Sequence, residues 1–280
     1  VAEASFLPRA ATLDYRSMQI LVRQGRLVLQ AGELLSDWAA GADAASTRAR
    51  LAAGLAEARS LQRQLEALSA PSSARSLLAA ARALAGQRTA QIEACMAFLE
   101  AGRPEQSRLR SFQSHWSQRG LTPLLAWLYA RRALAATMAA SPHPGRLRTF
   151  YTWSRDALLP AQVEQARLST EAVLLVGRLA ETPEEAPSLE KKAGLLVARA
   201  RAVTAALERG SVPAWLALAR SAFLEESRSL EASCQAVQQL LADPGEDAGA
   251  RVRYRAREQQ KRSRVAEDRL LEALARALEN

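Results

Sequence analysis

Between Leu13 and Trp38 the chain sets Leu13, Ser17, Leu21, Gly25, Val28, Gly32, Leu35 and Trp38 at intervals of three and four residues, with Arg, Gln and Glu between them. That spacing draws one stripe along an α-helix and gives a strand no face to bury. The small residues in the stripe predict close approach by a neighbouring helix. The period returns in Leu51, Leu55, Ala58, Leu61, Leu65 and Leu68, and again in Leu77, Ala81, Leu84, Ile92, Cys95 and Leu99. Leu196, Ala200, Val203 and Leu207 repeat it in the second half, followed by Trp215, Ala219, Phe223, Leu230, Cys234, Val237 and Leu241. The fold expected is therefore all-α: tandem antiparallel helical bundles of the four-helix type.

Composition supports the same class. Hydrophobic content is 49% but aromatic content only 5%, so the apolar mass is Ala, Leu and Val. Ala and Leu favour helix, and β-rich chains need more β-branched and aromatic residues.

Gly and Pro act as punctuation. Ala40-Gly41-Ala42-Asp43 ends the first helix, Ser69-Ala70-Pro71-Ser72-Ser73 stops the second and offers N-caps to the third, and Gly102-Arg103-Pro104 closes that. A helix from about Pro104 is expected to stop at Gly120, with Thr122-Pro123 as N-cap and first position of the next. Ser141-Pro142-His143-Pro144-Gly145 is the strongest turn, and Pro160 predicts another break beyond it, so the centre reads as a bent helical hairpin. Thr182 and Glu185 have capping-box spacing. Two modules follow, 1–140 and 141–280, with helices near the junction shared. Sliding the chain on itself by about 142 residues brings Pro71 to Pro213, Leu65 to Leu207 and Asp14 to Asp156. That overlay fits an internal duplication, and it fits two bundles of similar helix length.

The formal net charge is +9, carried by Arg rather than by the lysines Lys191, Lys192 and Lys261. Arg richness suits phosphate recognition, and it equally follows from coding bias that raises Ala and Arg together. Cys95 and Cys234 sit in apolar helical contexts and read as buried free thiols. No stretch approaches the roughly 18 apolar residues of a membrane span. The opening VAEASFLPRAATLDY carries no secretory leader, and its Val start implies that a preceding segment has been removed.

Catalytic patterns are missing. His115 and His143 lack partners at the spacing of a helical metal site, and no Gly-rich phosphate loop or Gly-x-Ser-x-Gly turn occurs. Glu184-Glu185 and Glu225-Glu226 read as solvated helix faces. The expectation is a non-enzyme without cofactor or metal.

Two regions stand out as candidate sites. Arg251, Arg253, Arg255, Arg257, Lys261, Arg262 and Arg264, with Tyr254 among them, form a basic run. At 100° per residue these charges spread around the helix, which suits a solvated outer helix, a nucleic-acid contact or an anionic membrane surface. The centre gathers Trp116, Trp127, Tyr129, Phe150, Tyr151 and Trp153 with Arg131, Arg132, Arg146, Arg148 and Arg155. Aromatics and guanidinium groups beside a helix break suit a small-anion pocket or a partner-docking surface, and they also suit a core at a bend. Arg131, Arg132, Arg146, Arg148 and Trp153 are the candidate binding residues.

The order of long opening helix, shorter helices, bent hairpin and long closing helix resembles the helical bimodular (TorS-like) periplasmic sensor regions of bacterial histidine kinases and chemoreceptors. Phe6-Leu7-Pro8-Arg9-Ala10 is similar to the way such regions leave a first membrane helix, and Leu270 to Asn280 to the approach to a second. The resemblance implies a sensory module on the periplasmic face of the inner membrane, binding a small anionic ligand or a partner protein. It implies membrane contact only through flanking segments, and is compatible with a homodimer. It transfers no ligand residue. Two other readings stand beside it: a soluble helical scaffold that binds a partner helix, and a basic nucleic-acid-associated protein.

Overall fold

The computed structural model describes residues 6–102, 106–141 and 145–279. It is all-α, with no strand among the described residues. The helices are α1 (Phe6–Ala39), α2 (Ala44–Glu66), α3 (Arg75–Glu100), α4 (Gln106–Ala139), α5 (Arg146–Trp153), α6 (Leu159–Glu181), α7 (Ala186–Arg209), α8 (Ala217–Ala242) and α9 (Glu246–Leu278). They divide into two compact units, Val1–Leu134 and Ala135–Asn280. The division falls inside α4 rather than between residues 140 and 141, and Ala135, Met138 and Ala139 at the end of α4 are buried.

In unit 1, α1, α2 and α3 pack on one another. Their short connections force antiparallel neighbours. Leu35, Trp38, Leu51, Ala58, Ile92 and Cys95 lie in one buried cluster, with Phe112 and Trp116 of α4 packed against it. A fully buried Leu of this kind contributes about 1.5–3 kcal/mol. The small positions of α1 serve as their spacing predicts: a Cβ at Gly32 would sit 3.4 Å from the Trp116 ring. Asp43 caps α2, accepting from the Ser46 amide at 2.6 Å.

In unit 2, α6, α7 and α8 pack on one another, α9 lies on α8, and α5 lies on α9. Phe150, Tyr151, Leu158, Leu189, Leu216 and Phe223 are buried there. The element boundaries follow those of unit 1: α7, the 3-10 turn Ala214–Leu216 and α8 begin about 142 residues after α2, the turn Ser72–Ala74 and α3. In both units an Arg of the later helix ties down the end of the earlier one. Arg82 donates to the carbonyls of Glu66 and Leu68, and Arg220 to those of Leu207 and Glu208. Cationic donors complement the orphan carbonyls and negative dipole of a helix C-terminus.

Local punctuation is overridden in several places. α4 runs unbroken through Gly120 and Pro123. Its two halves are gripped from elsewhere in unit 1: Gln91 donates to the Trp116 carbonyl at 2.9 Å, Trp116 Nε1 donates back to the Gln91 carbonyl at 2.9 Å, and Arg131 is held by Asp14. Before Pro160 the chain makes a π turn, Ser154–Leu158, instead of a loop. A widened turn accommodates a ring that cannot donate and that crowds the carbonyl four residues earlier. Thr182 forms no capping box, because its hydroxyl donates back to the Arg178 carbonyl and a 3-10 turn, Pro183–Glu185, precedes α7. Nor do the serines after Pro71 cap α3 through their side chains.

Candidate functional site

The five sequence-derived site residues fall in both units, Arg131 and Arg132 in unit 1 and Arg146, Arg148 and Trp153 in unit 2. Arg131 is 2% exposed and forks onto Asp14, Nε to Oδ1 at 2.9 Å and Nη2 to Oδ2 at 3.3 Å, with its guanidinium 5.2 Å from the Trp127 ring centre. It pins α4 to α1 and offers nothing to an outside anion, so it leaves the candidate site. Trp153 is buried and meets Phe150 edge-on at 6.3 Å, as a core residue. Arg148 donates to the Ala139 carbonyl at 3.2 Å, closing the end of α4. Arg146 is exposed over the Trp215 ring at 5.9 Å, and Arg132 is exposed in unit 1. Phe150, Tyr151 and Trp127 are likewise buried. His143 lies outside the described residues.

What unit 1 does assemble is a basic outer face on α4. Arg108, His115, Arg119, Thr122, Ala126 and Tyr129 are exposed and recur at spacings of seven, four and three, so they form one stripe, with exposed Arg132 at its edge. Arg108 lies 5.8 Å over the Phe98 ring, which steers it without neutralising it. From Gln106 to Arg155 the sequence contains no Asp or Glu. Several surface cations elsewhere are matched across helices: Arg23 with Glu57 at 2.8 Å, Arg59 with Glu93 at 2.7 Å and Arg201 with Glu231 at 2.8 Å. The acid-free run is legible in the sequence, interleaved with the aromatic cluster.

No family model, curated protein or solved structure matches the chain.

Unit 2 carries the second basic surface, on the first half of α9. Arg251, Arg253, Tyr254, Arg255 and Arg257 are all exposed, Tyr254 by 60%. The helix is held to α8 there by the Ser233 hydroxyl, which donates to the Arg255 carbonyl at 3.2 Å. Further along, Arg262 pairs with Glu225 at 2.6 Å and Lys261 with Glu258 at 2.7 Å. Lys261, Arg262 and Arg255 hold the Glu258 carboxyl below its usual range, Lys261 foremost.

The interior of unit 2 is partly polar. Thr204 and Ser227 share a hydrogen bond of 2.8 Å, and Gln259 donates to Ser169 at 3.0 Å. Glu226 lies at the α8–α9 contact. Its residue is only half-buried, but Oε2 is shut off from solvent, and burial pushes the carboxyl up to about 7 against a weaker lowering by the Ser263 hydroxyl. Cys95 and Cys234 are buried free thiols pushed up by burial to about 12 and about 11. Among the described residues, no group of three His, Cys, Asp or Glu side chains could hold a metal ion, and no helix is long and apolar enough to cross a membrane.

Proposed function

We propose that the chain is a non-enzymatic docking module that presents basic outer helices to an anionic partner. The observation that carries this reading is the outward stripe of α4, where Arg108, His115, Arg119 and Tyr129 share a face of a helix without a single carboxylate. A packed bundle holds such a face rigid, which limits the ordering cost of binding, and like-signed charge over a rigid surface steers an oppositely charged partner. The matching boundaries of the two units support a duplicated origin for them.

The test uses fluorescein-labelled polyglutamate as the probe. The full chain should bind it with an affinity that falls as salt rises, and R108E/R119E/R132E should lose at least about tenfold. Equal binding by that variant, with unchanged helicity, would remove α4 as the docking face.

The extracytoplasmic sensor reading stands second, favoured by the π turn Ser154–Leu158, which interrupts the opening helix of unit 2 with buried Ser154 in it. π turns are frequent at functional sites. Coding sequence for an apolar span of about 20 residues on each side of the chain would support that reading. A start codon abutting Val1 and a stop codon abutting Asn280 would end it.

A further inference from the structure

The first half of α9 has a geometry more specific than positive charge. Val252 is half-buried, and at 100° per residue the exposed Tyr254 lies on the opposite ridge. Arg251 and Arg255 fall on one flank of that ridge, and Arg253 and Arg257 on the other. The helix therefore shows solvent an aromatic keel with guanidinium groups along both sides. No Asp or Glu occurs between Asp247 and Glu258, and Glu258 pairs with Lys261 within the field of Arg255.

We propose that this ridge, Arg251 to Arg257 of α9, docks along the major groove of B-form DNA, with the two arginine flanks on the two phosphate backbones. The proposal rests on the reading of the chain as a basic docking module and names the partner of its second surface. A helix with its side chains is about 10–12 Å across, and the B-form major groove is about 12 Å wide and walled by phosphates on both sides. Charge on two flanks fits that channel, whereas a flat anionic surface would engage the outward ridge alone. A-form RNA offers a major groove too deep and narrow for a helix. A membrane surface is disfavoured on a second count. Helices that lie in lipid need an apolar face, and the apolar face of α9 (Ala266, Leu270, Leu274, Ala277) is buried. The preference for Arg over Lys carries no weight here, since the whole chain shares it.

Fluorescence anisotropy with a labelled 20-base-pair DNA duplex tests the proposal, using the full chain. Four phosphate contacts predict that log K falls against log salt with a slope of about −3 to −4. R251E/R253E should weaken binding by at least about tenfold and flatten that slope by about 2. K191E/K192E makes the same change of net charge on exposed residues of α7 and should leave binding within about twofold. Y254A should bind DNA more weakly while keeping the salt slope. Circular dichroism at 222 nm confirms that each variant is folded.

Equal losses in R251E/R253E and K191E/K192E would mean that net charge alone binds, and would overturn the site. Equal or tighter binding to an RNA duplex, or to vesicles containing phosphatidylserine, would overturn the groove geometry. Polyglutamate binding without DNA binding would sink this inference and leave the docking reading standing. A chain that binds none of these probes would remove both.

Discussion

Asp14 and Arg131 form the most consequential pair of side chains in unit 1, at 1% and 2% exposure. Removing one member strands a buried charge, so D14A should cost about 3–5 kcal/mol in urea denaturation. D14L/R131M removes both charges and should recover most of that loss. An outcome in which the single and double variants are equally unstable would contradict this account of the pair. Glu226 gives a pH signature of opposite sense to the usual carboxylate. Its folded value of about 7 lies above the usual carboxylate value of 4.5, so the native state holds the extra proton between these values. Stability therefore falls as pH rises from about 4.5 to about 7, then levels. E226Q cannot ionise, and its advantage over the wild type should grow by roughly 2 kcal/mol between pH 5 and pH 8. A constant difference across that range would show that the carboxyl is not desolvated. Neither role was legible in the sequence. Asp14 enters the sequence reading only by its overlay on Asp156, and its partner lies more than a hundred residues away.

At the scale of elements, α4 shows tertiary contacts overruling local signals. Gly120 and Pro123 both weaken a helix, and the sequence reading breaks the chain there for sound local reasons. The helix persists because Trp116 is clasped to Gln91 before the weak point and Arg131 to Asp14 after it. The two residues should answer substitution differently. P123A restores an amide donor and should raise stability by about 1–3 kcal/mol. G120A gains helix propensity, but its Cβ would sit 2.7 Å from Gln91 Nε2 and displace the amide from Trp116, so it should be neutral or destabilising by about 1 kcal/mol. Thermal melts of both variants decide the point. Stabilisation by G120A equal to that by P123A would mean the Gln91 clasp contributes nothing. The π turn before Pro160 belongs with this pair: the sequence marks the irregularity, and the packing of Phe150, Tyr151 and Leu158 chooses how it is absorbed.

At the scale of the whole molecule, each unit buries one thiol, Cys95 in the first and Cys234 in the second. The folded chain should take up almost no thiol reagent at pH 8, and denaturation should release both groups. D14A should accelerate labelling of Cys95, because that thiol shares a unit with the stranded Arg131; an unchanged rate would separate the ion pair from the opening of the Cys95 core. The sequence alone determined the all-α class, most helix ends and the burial of both cysteines, because apolar periodicity and Gly/Pro punctuation act over one or two turns. The acid-free run beneath the α4 face was also written there. Tertiary structure alone decided which arginines face outward. It withdrew Arg131 into an ion pair, set Arg148 on a helix end, placed Trp153 in the core, and left Arg108, Arg119 and the first half of α9 exposed. Helical periodicity gives the angle between two residues on one helix, but which of those angles meets another helix is settled only when distant segments pack.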